Sequence, residues 1–73
     1  MTFQVDIAHL DYRFVDERRV KLWRERIRLG IEIAPIKVSA RPNDHWYVYS
    51  GAEAVEAAKR EGRTSLTCVT IDV

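Results

Sequence analysis

One cysteine, one methionine, two prolines and three glycines are spread over 73 residues. The lone thiol, Cys68, has no partner for an internal disulfide, and a single thiol cannot build a zinc site. The two histidines, His9 and His45, fall in a connector and at a strand start without further ligands at organised spacing, so no metal is expected. No apolar run approaches the roughly 18 residues needed to cross a bilayer. Met1 is not followed by the basic-then-apolar pattern of an export signal, so a cytoplasmic protein without a membrane partner is the expectation. An excess of one charge is lacking too. Twelve Lys+Arg face eleven Asp+Glu, and a net charge of +1 excludes a uniformly basic nucleic-acid coat. There is no Ser/His/Asp or Cys/His arrangement, no glycine-rich phosphate loop and no carboxylate pair suited to acid–base work. No catalytic residue and no cofactor are expected.

What is present is the composition of an ordinary globule, 47% hydrophobic and 32% charged. The length allows a single domain over 1–73. Such a short chain buries only about 60–65% of its unfolded surface. Homodimerisation, through the hairpin edge or the apolar side of a small sheet, is therefore a reasonable expectation.

Phe3-Gln4-Val5-Asp6-Ile7 alternates apolar and polar residues, as a half-buried strand does. His9 to Phe14 reads as a connector. Asp16 is placed to cap a helix from Glu17, with Val15 and Val20 at the two positions of a hydrophobic staple. Val20, Trp23 and Ile27 recur at helical spacing, Leu22 widens the stripe, and Gly30 ends it. Ile33–Ala40 and His45–Tyr49 read as two strands paired in a hairpin around the turn residues Arg41-Pro42-Asn43-Asp44. Ser50-Gly51-Ala52-Glu53 has the spacing of a capping box, opening a second helix with Ala54, Val55 and Ala58 on a narrow apolar stripe. Gly62 ends that helix, and Leu66 to Val73 alternates as a closing strand. The order β-α-β-β-α-β defines an α+β domain, a small mixed sheet with two helices. By order alone, a ferredoxin-like split βαβ is an alternative.

The charge is polarised along the chain. Arg13, Arg18, Arg19, Lys21, Arg24, Arg26 and Arg28 face only Asp16, Glu17 and Glu25, a local charge of +4. Arg18, Lys21, Arg24 and Arg28 on the first helix are candidates to meet DNA, RNA or an acidic protein. The dominance of arginine favours bidentate contacts to phosphate or carboxylate. Tyr47 and Tyr49, on the strand face opposite Trp46 and Val48, offer rings for base stacking.

Leu29-Gly30-Ile31-Glu32-Ile33-Ala34-Pro35-Ile36-Lys37-Val38, then Trp46 to Lys59 with Ser50-Gly51 opening the second helix, then Glu61-Gly62, resembles the N-terminal domain of chromosome-partitioning ParB proteins. Sulfiredoxin and small ParB-like nucleases share that domain. Tyr12-Arg13 and the Arg18–Ile27 helix fit the front half, so the likeness covers nearly the whole chain. It implies a ParB/sulfiredoxin-like fold with an anion cradle at the glycine. In ParB that glycine precedes arginines and a glutamate that hold nucleotide phosphates; in sulfiredoxin it precedes a catalytic cysteine and His-Arg. Here Gly51 is followed by Ala52, Glu53, Ala54, Val55 and Glu56, so the phosphate motif reads as degenerate. Arg13, Ser50 and Gly51 remain the candidate phosphate- or nucleotide-binding residues. The resulting expectation is a non-catalytic binding module that uses its basic first helix. A nucleotide-binding or phosphoryl-cleaving ParB-like enzyme and a homodimeric interaction protein are the alternatives.

Overall fold

The computed structural model describes residues 1–71. Strand β1 (Thr2–Asp6) leads through a 3-10 turn, Ile7–His9, into a two-residue strand β2 (Leu10–Asp11). Helix α1 (Glu17–Arg28), strands β3 (Ile36–Ala40) and β4 (Trp46–Ser50), helix α2 (Ala52–Arg60) and strand β5 (Ser65–Thr70) follow.

The five strands form one mixed sheet in the order β1-β5-β3-β4-β2. β1 runs antiparallel to β5 and β3 antiparallel to β4, whereas β3–β5 and β2–β4 are parallel. This arrangement excludes the ferredoxin-like alternative. The last strand lies inside the sheet between β1 and β3, and β1 is left on an edge. The sheet curls: Phe3 of β1 and Trp46 of β4, on strands two places removed from contact, bring their rings within 5.0 Å of one another.

Side-chain alternation explains the strands. Val5 and Leu66 face each other across β1 and β5, Ile36 and Cys68 across β3 and β5, and Val38 and Val48 across β3 and β4; all six are buried. α2 closes this core with Ala54, Val55 and Ala58, whose small side chains let the helix lie close to the sheet. Trp23 and Ile27 pack against its margin, and Val20 of α1 is buried.

The differences from the sequence reading lie mainly at element ends. The connector His9–Phe14 contains β2, too short to leave a periodic signature. β3 begins at Ile36 rather than Ile33, after Pro35, which has no N–H to give a ladder. β1 ends at Asp6, one residue earlier than its alternation, because Ile7 turns inward as part of the 3-10 turn and its N–H bonds the Thr64 carbonyl at 2.9 Å. β5 spans Ser65–Thr70, starting one residue before the expected Leu66 and ending before Ile71, which is no longer strand; the remainder of the expected strand, 72–73, lies outside the described residues. The hairpin turn forms as its residue types imply. Asn43 and Asp44 both adopt positive φ, 63° and 62°, and the His45 N–H bonds the Pro42 carbonyl at 3.3 Å.

Candidate functional site

The turn from β4 into α2 differs from the expected capping box, and the reason is register. β4 continues through Ser50, which pairs with Lys37, so Ser50 remains a strand residue. The helix cap is Gly51, with φ +105° and no side-chain cap bond. A Cβ there would lie 3.0 Å from Cδ1 of buried Ile36, so both the backbone angle and the close approach demand glycine. Counting from Gly51, Glu53 is the second helical residue, whereas a reciprocal box needs a carboxylate at the third. Its carboxylate turns elsewhere: Oε2 accepts the Asp16 backbone N–H at 3.3 Å. Asp16 performs the cap expected of it, accepting the Arg18 N–H at 2.9 Å. The starts of the two helices are thus tied together.

Beside this turn lies an open hollow to which Arg13, Ser50 and Gly51 all contribute, with Tyr12, Phe14 and Tyr49 around them. Phe14 is 86% exposed and Tyr49 69%. The free N–H groups at the start of α2 border the same space, and so does Glu53.

The cations of α1 divide into two sets. Arg24 Nε donates to Glu61 Oε2 at 2.7 Å, and Arg28 donates to both oxygens of Glu61 at 2.8 and 3.1 Å. Glu61 follows α2 directly, so this clasp joins the helices. Arg28 and Arg24 hold the Glu61 carboxyl below the usual carboxylate range. A second clasp runs the other way. Arg60 donates to Glu17 at 2.7 and 3.0 Å and to Glu56 at 2.9 Å. Tyr12 completes it, donating its hydroxyl to Glu56 at 2.6 Å, which lowers the Glu56 carboxyl. Burial and the adjoining carboxylate push the Tyr12 hydroxyl well above its ordinary value. Among the described residues, Arg13, Arg18, Arg19, Lys21 and Arg26 form no ion pair. The Arg26 guanidinium lies over the Trp23 ring, 5.1 Å from its centre.

Of the four cations expected to face a partner, Arg24 and Arg28 therefore already hold an internal carboxylate, while Arg18 and Lys21 do not. The glutamate that claims them, Glu61, carries no local sequence signal of this pairing. It lies 37 and 33 positions away from the two arginines, and only the helix–helix packing brings it there. On α1, Arg19 and Arg26 are likewise unpaired among the described residues, although the sequence pattern did not single them out.

Asp11 lies 3.0 Å from His45 Nδ1 and accepts from Arg41 at 3.3 Å; the hydrogen bond with His45, with Arg41 adding to it, lowers the Asp11 carboxyl. The His9 and His45 rings lie with centres 5.3 Å apart and planes tilted by 40°, yet among the described residues no three histidine, cysteine or carboxylate side chains are grouped to hold a metal ion. Cys68 is fully buried in β5, and burial pushes its thiol up. Among the described residues, no helix is long and apolar enough to cross a membrane.

Curled sheet, parallel β3–β5 pairing and the left-handed glycine opening α2 make this a ParB/sulfiredoxin-like fold. Several solved structures share it. Sulfiredoxin from Arabidopsis thaliana superposes with a TM-score of 0.77 at 22% identity, over 100% of this chain and 86% of that one. C-terminally truncated SbnI from Staphylococcus aureus gives a TM-score of 0.88 at 19% identity, over 97% of this chain and 30% of its own. C-terminally truncated ParB from Caulobacter crescentus, complexed with CTP-gamma-S, gives 0.80 at 18% identity, over 100% of this chain and 45% of its own. This chain thus spans less than half the length of SbnI and ParB as solved. No protein-family model and no curated protein matches the sequence.

Proposed function

We propose that this domain is a non-catalytic binding module that presents α1 to an acidic partner. The observation that carries this reading is the gathering of carboxylates where the two helices begin, beside the hollow. Glu53 borders the Gly51 hollow and its carboxylate holds the Asp16 N–H at the start of α1, where Glu17 shares Arg60 with Glu56 of α2. A phosphate ligand in the hollow has these carboxylates beside it, and a carboxylate beside a phosphate repels it. The basic face is therefore a site in its own right, suited to a partner that touches α1 alone. Binding of polyglutamate at low salt, weakening as salt rises, is the expected result, because exposed charge pairs are screened. Triple replacement of Arg18, Arg19 and Arg26 by Glu abolishes it. If wild-type protein ignores polyglutamate, or the triple variant binds it as well as wild type, the reading is wrong.

The second reading places a nucleotide in the hollow, with Arg13 and the start of α2 on its phosphates. The exposed rings of Phe14 and Tyr49 support it, as a stacking platform for a base. The ParB neighbour was crystallised with CTP-gamma-S, which supports a nucleotide ligand within this fold. A ligand that binds only the folded chain raises its stability. Thermal stabilisation by CTP or ATP, absent in Arg13→Ala, is the sign of this reading; no shift with either nucleotide removes it.

A further inference from the structure

Resting on the reading of α1 as the binding face, we infer that its partner is an acidic amphipathic helix. Arg19, Leu22, Arg26 and Leu29 succeed one another at intervals of three, four and three residues. That spacing sets them in one line along a helix, in the manner of a coiled-coil seam. The line lies on solvent. Leu22 is 53% and Leu29 79% exposed, and Ile31 beyond the helix end is 48% exposed. Arg19, Leu22, Trp23 and Arg26 together line a shallow hollow, in which Arg26 stacked on Trp23 forms one wall. Single exposed apolar side chains are common, but two leucines aligned with two arginines make a patterned surface.

The pattern discriminates between occupants. A nucleic-acid backbone rewards cations at every step, and leucines at alternate places gain nothing from it. A second copy of this chain docking by the same face brings only the same line again, two leucines and two arginines with no carboxylate among them, so the arginines gain no partner and two positive faces repel. An extended acidic coil satisfies the arginines and leaves the leucines wet. A helix with leucines at the same intervals and glutamates beside them meets both, burying apolar area between the helices and pairing its carboxylates with Arg19 and Arg26. Arg18 and Lys21 flank the line on its α2-facing side and add to the attraction. Glu25 is the one carboxylate of α1 besides Glu17, which Arg60 already holds.

The test is fluorescence anisotropy with three labelled peptides of equal charge. One is a striped helix of about two heptads, with leucines at three- and four-residue intervals and glutamates between them. The second is its scramble, and the third is polyglutamate. Wild-type protein is expected to bind the striped peptide about tenfold or more tightly than the other two, since two leucines leave water only with that probe. Leu22→Gln with Leu29→Gln removes the preference, and thermal melting confirms that this variant is folded. Arg19→Gln with Arg26→Gln weakens all three probes. Equal binding of the striped peptide and polyglutamate, or an undiminished preference in the leucine variant, overturns the inference while the acidic-partner reading stands. If no acidic probe binds at low salt, both fall together. A duplex DNA bound more tightly than every peptide, with the leucine variant indifferent, also overturns it.

Discussion

Replacing Gly51 by alanine is the sharpest perturbation of the turn that positions α2, and its consequence follows from two independent terms. The backbone at Gly51 holds φ at +105°, a region that charges an L-residue about 1–2 kcal/mol. The new Cβ would also sit 3.0 Å from Ile36 Cδ1, and Ile36 is buried, so it has little room to retreat. Overpacking of that kind costs about 1–3 kcal/mol. Together the loss is about 2–5 kcal/mol, and for a domain of this size the melting temperature falls about 4–8 °C per kcal/mol. Gly62 serves as the internal control. Its φ is +85°, but nothing lies within 4 Å of a Cβ there, so Gly62→Ala should lose the backbone term alone. Shortening Ile36 to valine alone costs about 0.5–1.5 kcal/mol. In the Gly51→Ala background the same change removes the offending methyl and should cost little or become stabilising. Urea melts of the four variants yield the coupling directly. Equal losses for the two glycine substitutions, with no coupling between positions 36 and 51, would refute the close-approach argument.

Other outcomes follow from the ion pairs and the core. The carboxyls of Glu61, Glu17, Glu56 and Asp11 are all held below their ordinary values in the folded chain, chiefly by Arg28, Arg60, Tyr12 and His45 respectively. The unfolded chain therefore binds more protons in acid. Their contribution is complete above the unfolded carboxyl values near 4 and is lost as pH falls through the lower folded values, so the melting temperature should drop below about pH 5. Tyr12 acts in the opposite sense. Its raised folded value means that stability is complete below the free tyrosine value of about 10 and declines as pH rises beyond it, a decline that Tyr12→Phe should reduce. Glu61→Gln releases Arg24 and Arg28 and is expected to tighten polyglutamate binding while shrinking the acid-dependent drop in melting temperature; no change in either contradicts the clasp. Cys68 should react with a thiol reagent only as fast as the domain unfolds, because its sulfur is buried and its pKa raised. Rapid labelling of native protein would contradict its place in the core.

Both helices and the β3–β4 hairpin were legible because each carries a complete local signal. Asp16 caps α1 through a bond two residues long, and Asn43-Asp44 supplies the positive φ values that the turn requires. The glycine pattern made the fold legible as ParB/sulfiredoxin-like. The capping box failed because its residues satisfy the spacing rule from Ser50, while strand pairing with Lys37 moves the helix start to Gly51. β2 escaped because two residues have no period; its pairing with Trp46 and Tyr47 is created by the curl of the sheet. The candidate residues Arg13, Ser50 and Gly51 do gather around one hollow, since the chain segments before α1 and before α2 run side by side. The division among the α1 arginines was not legible. It depends on Glu61 arriving from the end of α2, a contact between residues 33 or more apart.

Amide chemical-shift mapping, with polyglutamate and CTP added separately, bears most directly on where this domain binds. Polyglutamate is predicted to move the amides from Arg18 to Leu29, and CTP to leave Arg13 and Ser50 to Glu53 in place. Shifts centred on Arg13 and Gly51 with CTP, and an unmoved α1 with polyglutamate, would contradict the account.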